Sequence, residues 1–177
     1  FDNLLNSLEI LSDQRGLNFS DRRITVSTCG LVPKITELGQ KTKVNLAVPL
    51  HSVNDSIRSR LMPINNKYPV DQLLEACTSF PMPKRKRIMF EYILIKDLND
   101  SVSDAENLAE KLRDIPCKIN LLPYNETEAL SFQRPSDEKI ELFQKTLWKA
   151  GYTVLVRSSR GSDISAACGQ LAGKMIS

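Results

Sequence analysis

The feature that most constrains this chain is an alternation of short apolar segments with segments that carry apolar residues at helical spacing. The apolar segments are rich in β-branched residues and predict strands at residues 24–28, 44–50, 87–95, 118–122 and 152–157. Strands that alternate with helices favour a parallel sheet joined by right-handed crossovers. The sequence therefore predicts an α/β fold, in which the second strand is apolar enough to be buried on both faces.

Capping residues predict where the helices between these strands begin and end. The first helix should end at Gly16 in a left-handed cap, and the second should carry Pro33 in its first turn. Asn54 and Asp55 should begin the third helix, and Pro69 should begin the fourth. A capping box at Ser103–Glu106 should open the fifth helix, and the sixth should begin at Ser136 and end at Gly151. A loop over residues 123–135 precedes the last helix, and residues 158–177 form a tail.

Polar residues gather at or just beyond the carboxyl ends of the predicted strands. They are Ser27, His51, Lys96, Asn99, Asn125, Arg157 and Arg160. Parallel sheets, open or closed, bind ligands at this rim, so these residues are the candidates for a site. The basic run Lys84–Arg87 precedes a strand and should lie on the opposite rim, where a solvated surface is favoured over contact with RNA.

Composition excludes several classes of protein and leaves the function open. The chain has 177 residues, enough for one domain with a buried core, and its net charge of +3 does not by itself indicate nucleic acid. No apolar run approaches the roughly 20 residues that cross a bilayer. The cysteines lie far apart without a Cys-x-x-Cys pair, which argues against a zinc ribbon or a thioredoxin-like centre and favours the reducing cytoplasm. Because the chain opens on Phe1 within a helical pattern, we expect a fragment of a longer protein.

Several short segments, taken in their order and spacing, carry a resemblance to a known family. They are Arg23–Thr28 with Gly30; Leu50–His51 with Asn54, Asp55 and Arg58; Met62–Asn65; Phe90–Tyr92; Cys117–Pro123 with Asn125; and Arg160–Gly161 with Asp163–Ile164 and Ala166–Leu171. Together they resemble the radical S-adenosylmethionine methyltransferases that modify carbon 2 of adenine in ribosomal RNA and, in some members, in transfer RNA. The resemblance spans nearly the whole chain.

This resemblance implies a fold, cofactors and partners. The fold is a partial (β/α) barrel of the radical-SAM type, of which residues 1–177 form the C-terminal portion. The N-terminal strands, the cysteine loop that holds a [4Fe–4S] cluster and the RNA-binding part are expected upstream. The implied cofactors are S-adenosyl-L-methionine and that cluster, and the implied partners are ribosomal RNA and transfer RNA. A monomer without membrane attachment is expected.

The resemblance also assigns roles to individual residues. Cys168, within Ala166–Gly169, is expected to carry a methyl group during catalysis, although on local sequence alone a buried structural cysteine is favoured. Ser27, Asn125 and the triplet Pro49–Leu50–His51 are expected to contact S-adenosylmethionine. Pro49 stands where the family has a serine, and proline offers neither a hydroxyl nor a backbone N–H.

The chemistry of the base explains why such a family needs a radical cofactor. Carbon 2 of adenine lies between two ring nitrogens and is electron-poor, so it does not attack a sulfonium methyl group as an amine would. In the implied reaction Cys168 first receives a methyl group, and a radical then activates this S-methylcysteine for addition to the base. Two alternatives stay open: methylation of carbon 8 of the same type of adenine, which confers antibiotic resistance, and a non-catalytic RNA-binding relative.

Overall fold

Five parallel strands in chain order form the sheet in the part of the chain that the structure describes. The structure is a computed structural model that describes residues 1–83, 86–127 and 130–157. The strands are β1 (Thr25–Ser27), β2 (Asn45–Pro49), β3 (Ile88–Leu94), β4 (Cys117–Pro123) and β5 (Thr153–Val156), and each is parallel to the next. Their bounds differ from the predicted ones by one residue at each end. The predicted α/β fold with a parallel sheet is confirmed.

Six helices accompany the strands over the described residues. They are α1 (Asp2–Ser12), α2 (Val32–Lys41), α3 (Asp55–Leu61), α4 (Val70–Thr78), α5 (Val102–Lys111) and α6 (Asp137–Lys149), with an unpredicted 3-10 turn, Pro63–Asn66, between α3 and α4. Parallel strands that follow one another in order need crossovers of one hand, so the connecting helices cover one face of the sheet. On that face the rings of Tyr92 in β3 and Phe143 in α6 lie 5.2 Å apart. No helix in the described part of the chain has the length and apolar character to cross a membrane.

The two faces of the sheet differ in burial. Along β3 and β4 every second residue is buried, and the residues between are partly exposed. Because side chains alternate along a strand, the two sets lie on opposite faces. We call the face away from the helices the open face; its residues include Ser27, Ala47, Pro49, Met89, Glu91, Ile93, Lys118, Asn120 and Leu122. In β2, residues 46–48 are buried on both faces, as predicted.

The sheet does not close into a barrel over the described residues. β1 pairs with β2 alone and β5 pairs with β4 alone, so both are edge strands. An edge strand presents unpaired backbone N–H and C=O groups to any further strand. This open arrangement is that of a partial barrel.

Three predicted caps are confirmed. The Asn54 side chain accepts hydrogen bonds from two backbone N–H groups in the first turn of α3. The Ser136 hydroxyl accepts one from the first turn of α6. Gly151 follows α6 with a φ of 91°, a left-handed conformation that favours glycine.

The predicted left-handed cap at Gly16 is wrong. Helix α1 ends at Ser12, and Asp13 follows it in a non-helical conformation. The Asp13 carboxylate accepts a hydrogen bond from the N–H of Arg15 (2.9 Å), which turns the chain before Gly16 is reached.

The predicted capping box of α5 is misplaced by two residues. The box lies at Ser101 and Asp104 rather than at Ser103–Glu106. The Ser101 hydroxyl accepts from the N–H of Asp104 (3.1 Å), and the Asp104 carboxylate accepts from the N–H of Ser101 (3.0 Å). An aspartate at the third position thus serves as well as the glutamate that the expected pattern used.

Candidate functional site

The carboxyl ends of the strands carry most of the predicted site residues on one rim of the sheet. Ser27 ends β1, Pro49 ends β2, His51 follows two residues later, and Asn125 lies two residues beyond β4. Parallel pairing places the ends of neighbouring strands side by side, so these residues share the rim. Cys168 lies outside the described residues, as does the strand-end candidate Arg160.

The triplet Pro49–Leu50–His51 presents its side chains to different surroundings. Pro49 lies on the open face opposite Glu91. The Leu50 side chain is fully buried in the core, so only its backbone reaches the rim. His51 is half-buried, and its φ of 61° is a left-handed conformation that is uncommon for residues other than glycine.

A proline at position 49 coincides with the end of the β1–β2 pairing. The last pair of that ladder is Ser27–Ala47. Leu50 donates its N–H to the Glu91 carbonyl in β3 (2.9 Å), so the backbone of the preceding Pro49 faces the other neighbour, β1. Since the proline nitrogen has no hydrogen to donate, the ladder stops where it does.

A fully buried arginine holds the first two carbonyl groups of the triplet. Arg58, in α3, donates from Nε to the Leu50 carbonyl (3.1 Å) and from Nη2 to the Pro49 carbonyl (3.3 Å). On the other side the N–H groups of Leu50 and His51 both reach the Glu91 carbonyl, at 2.9 and 3.3 Å. The backbone of the triplet is therefore fixed by α3 and by β3 together.

The charge of Arg58 is balanced through an amide rather than by direct contact with a described carboxylate. Its Nη1 donates to Asn65 Oδ1 (2.8 Å), and Asn65 Nδ2 donates to the Asp55 carboxylate (2.8 Å). Burial acts to raise the pKa of Asp55, but hydrogen bonds from the Val70 N–H and from Asn65, with the charge of Arg58, lower it below its usual value. Burial also lowers the pKa of Arg58, whose guanidinium nevertheless stays charged at neutral pH.

A buried asparagine holds the third carbonyl of the triplet. Asn99 Nδ2 donates to the carbonyls of His51 and Ile93, each at 2.7 Å, and Asn99 Oδ1 accepts from the N–H of Ile95 (2.8 Å). The Tyr92 hydroxyl donates to the Asn99 carbonyl (3.0 Å). One side chain thereby joins the chain beyond β2 to the end of β3 and supports the left-handed conformation of His51.

The imidazole of His51 is neutral at physiological pH. Its Nδ1 accepts a hydrogen bond from the N–H of Ile93 (3.1 Å), so the proton sits on Nε2. Burial and, secondly, the charge of Arg58 lower the pKa of His51 to about 4. Nε2 has no acceptor among the described residues, so its N–H is the donor that the triplet offers to a ligand.

Neutral His51 is expected to make stability depend on pH. Its pKa is about 4 in the folded protein and roughly 6.5 in an unfolded chain, so the unfolded chain binds the proton first as the pH falls. This stabilisation, at most about 3 kcal/mol, is present above pH ~6.5 and is lost between pH ~6.5 and ~4. Urea unfolding of the whole protein should show this loss in the wild type and not in His51→Gln. A difference in unfolding free energy between wild type and His51→Gln that does not change with pH would contradict the prediction.

Two of the cysteines are core residues, as predicted. Cys77 and Cys117 are buried, and burial raises the pKa of each thiol to about 12. Neither forms a thiolate at neutral pH, and the thiolate is the reactive form. Cys29, by contrast, is exposed and lies two residues beyond Ser27.

The network beneath the triplet is what sequence reasoning missed. Arg58 and Asn99 stand in the sequence as a helix residue and a polar strand-end residue, and nothing next to either marks it as fully buried. Their partners in the triplet lie 8 and 48 residues away along the chain. These hydrogen bonds form only after the strands have assembled, so the sequence next to Arg58 and Asn99 does not indicate them.

Relatives of known function match almost all of this chain. It is 56% identical over 97% of its length to the dual-specificity RNA methyltransferase RlmN of Desulfotalea psychrophila, and 52% identical over 98% to that of Geobacter sulfurreducens. It covers 47% and 48% of those two proteins, so the chain spans about half the length of the curated relatives it matches. No protein-family model matches the chain.

Solved structures share its fold. A radical SAM methyltransferase from Sphaerobacter thermophilus superposes with a TM-score of 0.90 at 47% identity, over 96% of this chain and 50% of that one. A domain of a pyruvate-formate lyase-activating enzyme from Bacteroides vulgatus, 20% identical, superposes with a TM-score of 0.66 over 89% of this chain and 91% of that one, and supports the fold alone. Half of its residues match these RNA methyltransferases along nearly its whole length, so the chain is similar to about half of a radical S-adenosylmethionine RNA methyltransferase of the RlmN type.

Proposed function

We propose that the whole protein containing this chain methylates carbon 2 of adenine in ribosomal RNA and transfer RNA. The observation that carries this proposal is the 56% and 52% identity with two dual-specificity RNA methyltransferases over almost all of this chain. The position of Ser27, the triplet and Asn125 supports it, because enzymes built on parallel strands bind their ligands at the carboxyl rim. A monomeric, cytoplasmic enzyme belongs to the same proposal.

Within this proposal, residues 1–177 form the C-terminal portion of a radical-SAM barrel domain. The other half of the protein would supply the N-terminal strands, the cluster loop and the RNA-binding part. The chain's coverage of 47% and 48% of two relatives supports this division. So does the edge strand β1, which offers a row of backbone groups to a further strand.

The rim fits S-adenosylmethionine in the kind of groups it offers. The backbone of the triplet is held in place by Arg58, Asn99 and Glu91, and each of its carbonyl groups can accept a further hydrogen bond. Within this proposal, Pro49 and Leu50 contact the cofactor through this fixed backbone. Within this proposal, the Ser27 hydroxyl, the His51 Nε2–H and the Asn125 amide hold its polar groups. The bound cofactor supplies the methyl group and, with the cluster, the one-electron chemistry that carbon 2 requires.

The [4Fe–4S] cluster has no ligand set in the part of the chain that the structure describes. Over residues 1–83, 86–127 and 130–157, no three or more His, Cys, Asp or Glu side chains are grouped so that they could hold a metal ion.

Cys168 is the methyl carrier in the proposed reaction. Its thiolate would take the methyl group from the sulfonium sulfur of S-adenosylmethionine and release S-adenosylhomocysteine, and the resulting S-methylcysteine would later deliver the carbon to the base. Its neighbours in the sequence, Ala167 and Gly169, have small side chains. Arg157 and Arg160 lie near it in the sequence, and in this proposal their positive charges would favour a thiolate or meet phosphates.

Product analysis with the whole protein tests the proposed function. Anaerobically reconstituted protein, given a reductant, methyl-labelled S-adenosylmethionine and unmodified ribosomal or transfer RNA, should yield 2-methyladenosine in nucleoside mass spectrometry. 8-Methyladenosine as the product would assign the carbon-8 activity instead. RNA binding without any methylated adenosine, in protein with an intact cluster, would identify a non-catalytic RNA-binding relative.

A further inference from the structure

The rim opposite the candidate site carries a concave surface, which we call the amino-edge cleft. It has a volume of about 880 Å³ and lies at the amino ends of β1 to β4. Its lining includes five basic residues, Arg22, Lys43, Lys86, Arg87 and Lys118. Asp21 is the one carboxylate among the described residues of the lining. Neither the candidate site nor the proposed reaction uses these side chains.

The parallel sheet itself assembles this charge. Arg22, Lys43 and Arg87 precede β1, β2 and β3, respectively. Lys118 is the second residue of β4 and lies on the open face opposite Met89. Because the amino ends of parallel strands are neighbours, basic residues far apart in the sequence meet at one surface. The sequence alone favours a solvated surface for the run Lys84–Arg87, since it does not show these additional residues.

The cations of the cleft are not neutralised within the described structure. On the helices, Lys34, Lys111 and Lys145 each contact a carboxylate at 2.6–2.7 Å. No basic residue of the cleft has such an ion pair with any described residue. Lys86 instead donates to the Lys43 carbonyl (2.7 Å), which holds two lysines of the cleft close together. Like charges gathered in a concave surface concentrate a positive potential that attracts anions.

We propose that the amino-edge cleft binds phosphate groups of the RNA substrate, an inference that rests on the proposed function. Lysine and arginine bind phosphates through charge-assisted hydrogen bonds and release counterions as they do so. Neighbouring strands lie ~4.8 Å apart, so four strand ends span roughly 14 Å. That width exceeds a single small anion and leaves room for more than one phosphate of a nucleic-acid strand.

One RNA molecule is long enough to occupy both rims of the sheet. The seven residues of β3 separate the amino-edge cleft from the candidate site, which at ~3.3 Å a residue is roughly 20 Å. A nucleic-acid strand of only a few nucleotides spans this distance. The cleft would therefore position the RNA and leave recognition of the adenine to the opposite rim.

The test is RNA binding by the whole protein with its cofactors, measured at several salt concentrations with transfer RNA and a ribosomal RNA fragment. The cleft variant combines Lys43→Gln, Arg87→Gln and Lys118→Gln. The matched control combines Lys34→Gln, Lys111→Gln and Lys145→Gln, which removes the same charge from helix surfaces. We expect the cleft variant to bind about tenfold more weakly near 0.1 M salt. The negative slope of log K against log salt should become shallower by about two in the cleft variant. In the control variant the slope should equal that of the wild type.

Each outcome bears on the cleft separately from the proposed function. Equal salt slopes for the wild type and the cleft variant would overturn the cleft proposal even where methylation proceeds normally. A lower melting temperature with an unchanged slope would also overturn it, since another segment of the protein would then cover the cleft. If the salt dependence of RNA binding is weaker in the cleft variant but the wild type yields no methylated adenosine, the cleft proposal stands and the proposed function fails.

Discussion

Replacing Arg58 with methionine is expected to destabilise the whole protein by about 2–4 kcal/mol. Methionine occupies a similar volume but donates no hydrogen bond, so the Pro49 carbonyl and Asn65 Oδ1 each lose a donor. A buried acceptor left without a donor costs about 1–3 kcal/mol. Removal of the buried charge recovers part of its desolvation free energy, but it leaves both acceptors unsatisfied, so destabilisation should prevail.

Arg60 supplies the matched control for this experiment. It lies in the same helix, two residues further on, and is exposed, so Arg60→Met should change the free energy of unfolding by less than about 0.5 kcal/mol. A second measurement is the pKa of His51, which the charge of Arg58 helps to lower to about 4. That pKa should rise in Arg58→Met and stay low in Arg58→Lys. Equal unfolding free energies for the two methionine variants would show that the buried guanidinium does not hold the site.

The sheet and its rim are predictable from the sequence because their signals are local. Each strand is a continuous apolar segment, and the β-branched and aromatic residues of Ile88–Leu94 favour a strand over a helix. Once the strands are parallel, the positions of Ser27 and Asn125 at one rim follow from chain order alone. The family resemblance then attaches a function to a rim that topology had already singled out.

The support beneath the triplet is not predictable in this way. Arg58 and Arg60 belong to one short helix, yet the first is fully buried and the second is exposed. Which of the two turns inward depends on where the Leu50 carbonyl lies after β2 has paired with β3. Asn99 is similar, because an asparagine after a strand usually serves a turn, whereas this one closes a hydrogen bond to His51.

This support also explains why Pro49 is compatible with an active enzyme. The family serine at this position would add a hydroxyl that could form one hydrogen bond to S-adenosylmethionine. One net hydrogen bond is worth about 0.5–1.5 kcal/mol, or a factor of about 2–12 in the affinity for S-adenosylmethionine. The backbone of the turn does not depend on that hydroxyl, since Arg58 and Glu91 hold it in this protein. Proline also restricts Val48 to an extended conformation, which suits the last residues of a strand.

Cys168→Ala is expected to abolish RNA methylation by the whole protein, with a loss of at least about 10⁴-fold in rate. Carbon 2 does not attack a sulfonium methyl group directly, so the reaction depends on a sulfur that first carries the methyl group. Cys77 and Cys117 cannot replace it, because burial raises the pKa of each to about 12. The alanine variant should keep its thermal midpoint within about 2 °C of the wild type, since the side chain changes little in size.

Cys29→Ser is the control that separates a catalytic thiol from one that is merely exposed near the same rim. This variant should methylate RNA at the wild-type rate. Mass spectrometry of the wild-type protein, prepared with its cluster intact, should find a methyl group on Cys168 and none on Cys77 or Cys117. Because the methyl carrier turns over in every cycle, a Cys168→Ala protein that methylates RNA at the normal rate would show that the thiol plays no part in the reaction. A methyl group found on Cys29 instead would also contradict the prediction, because the methyl carrier would then lie two residues beyond Ser27, the last residue of β1.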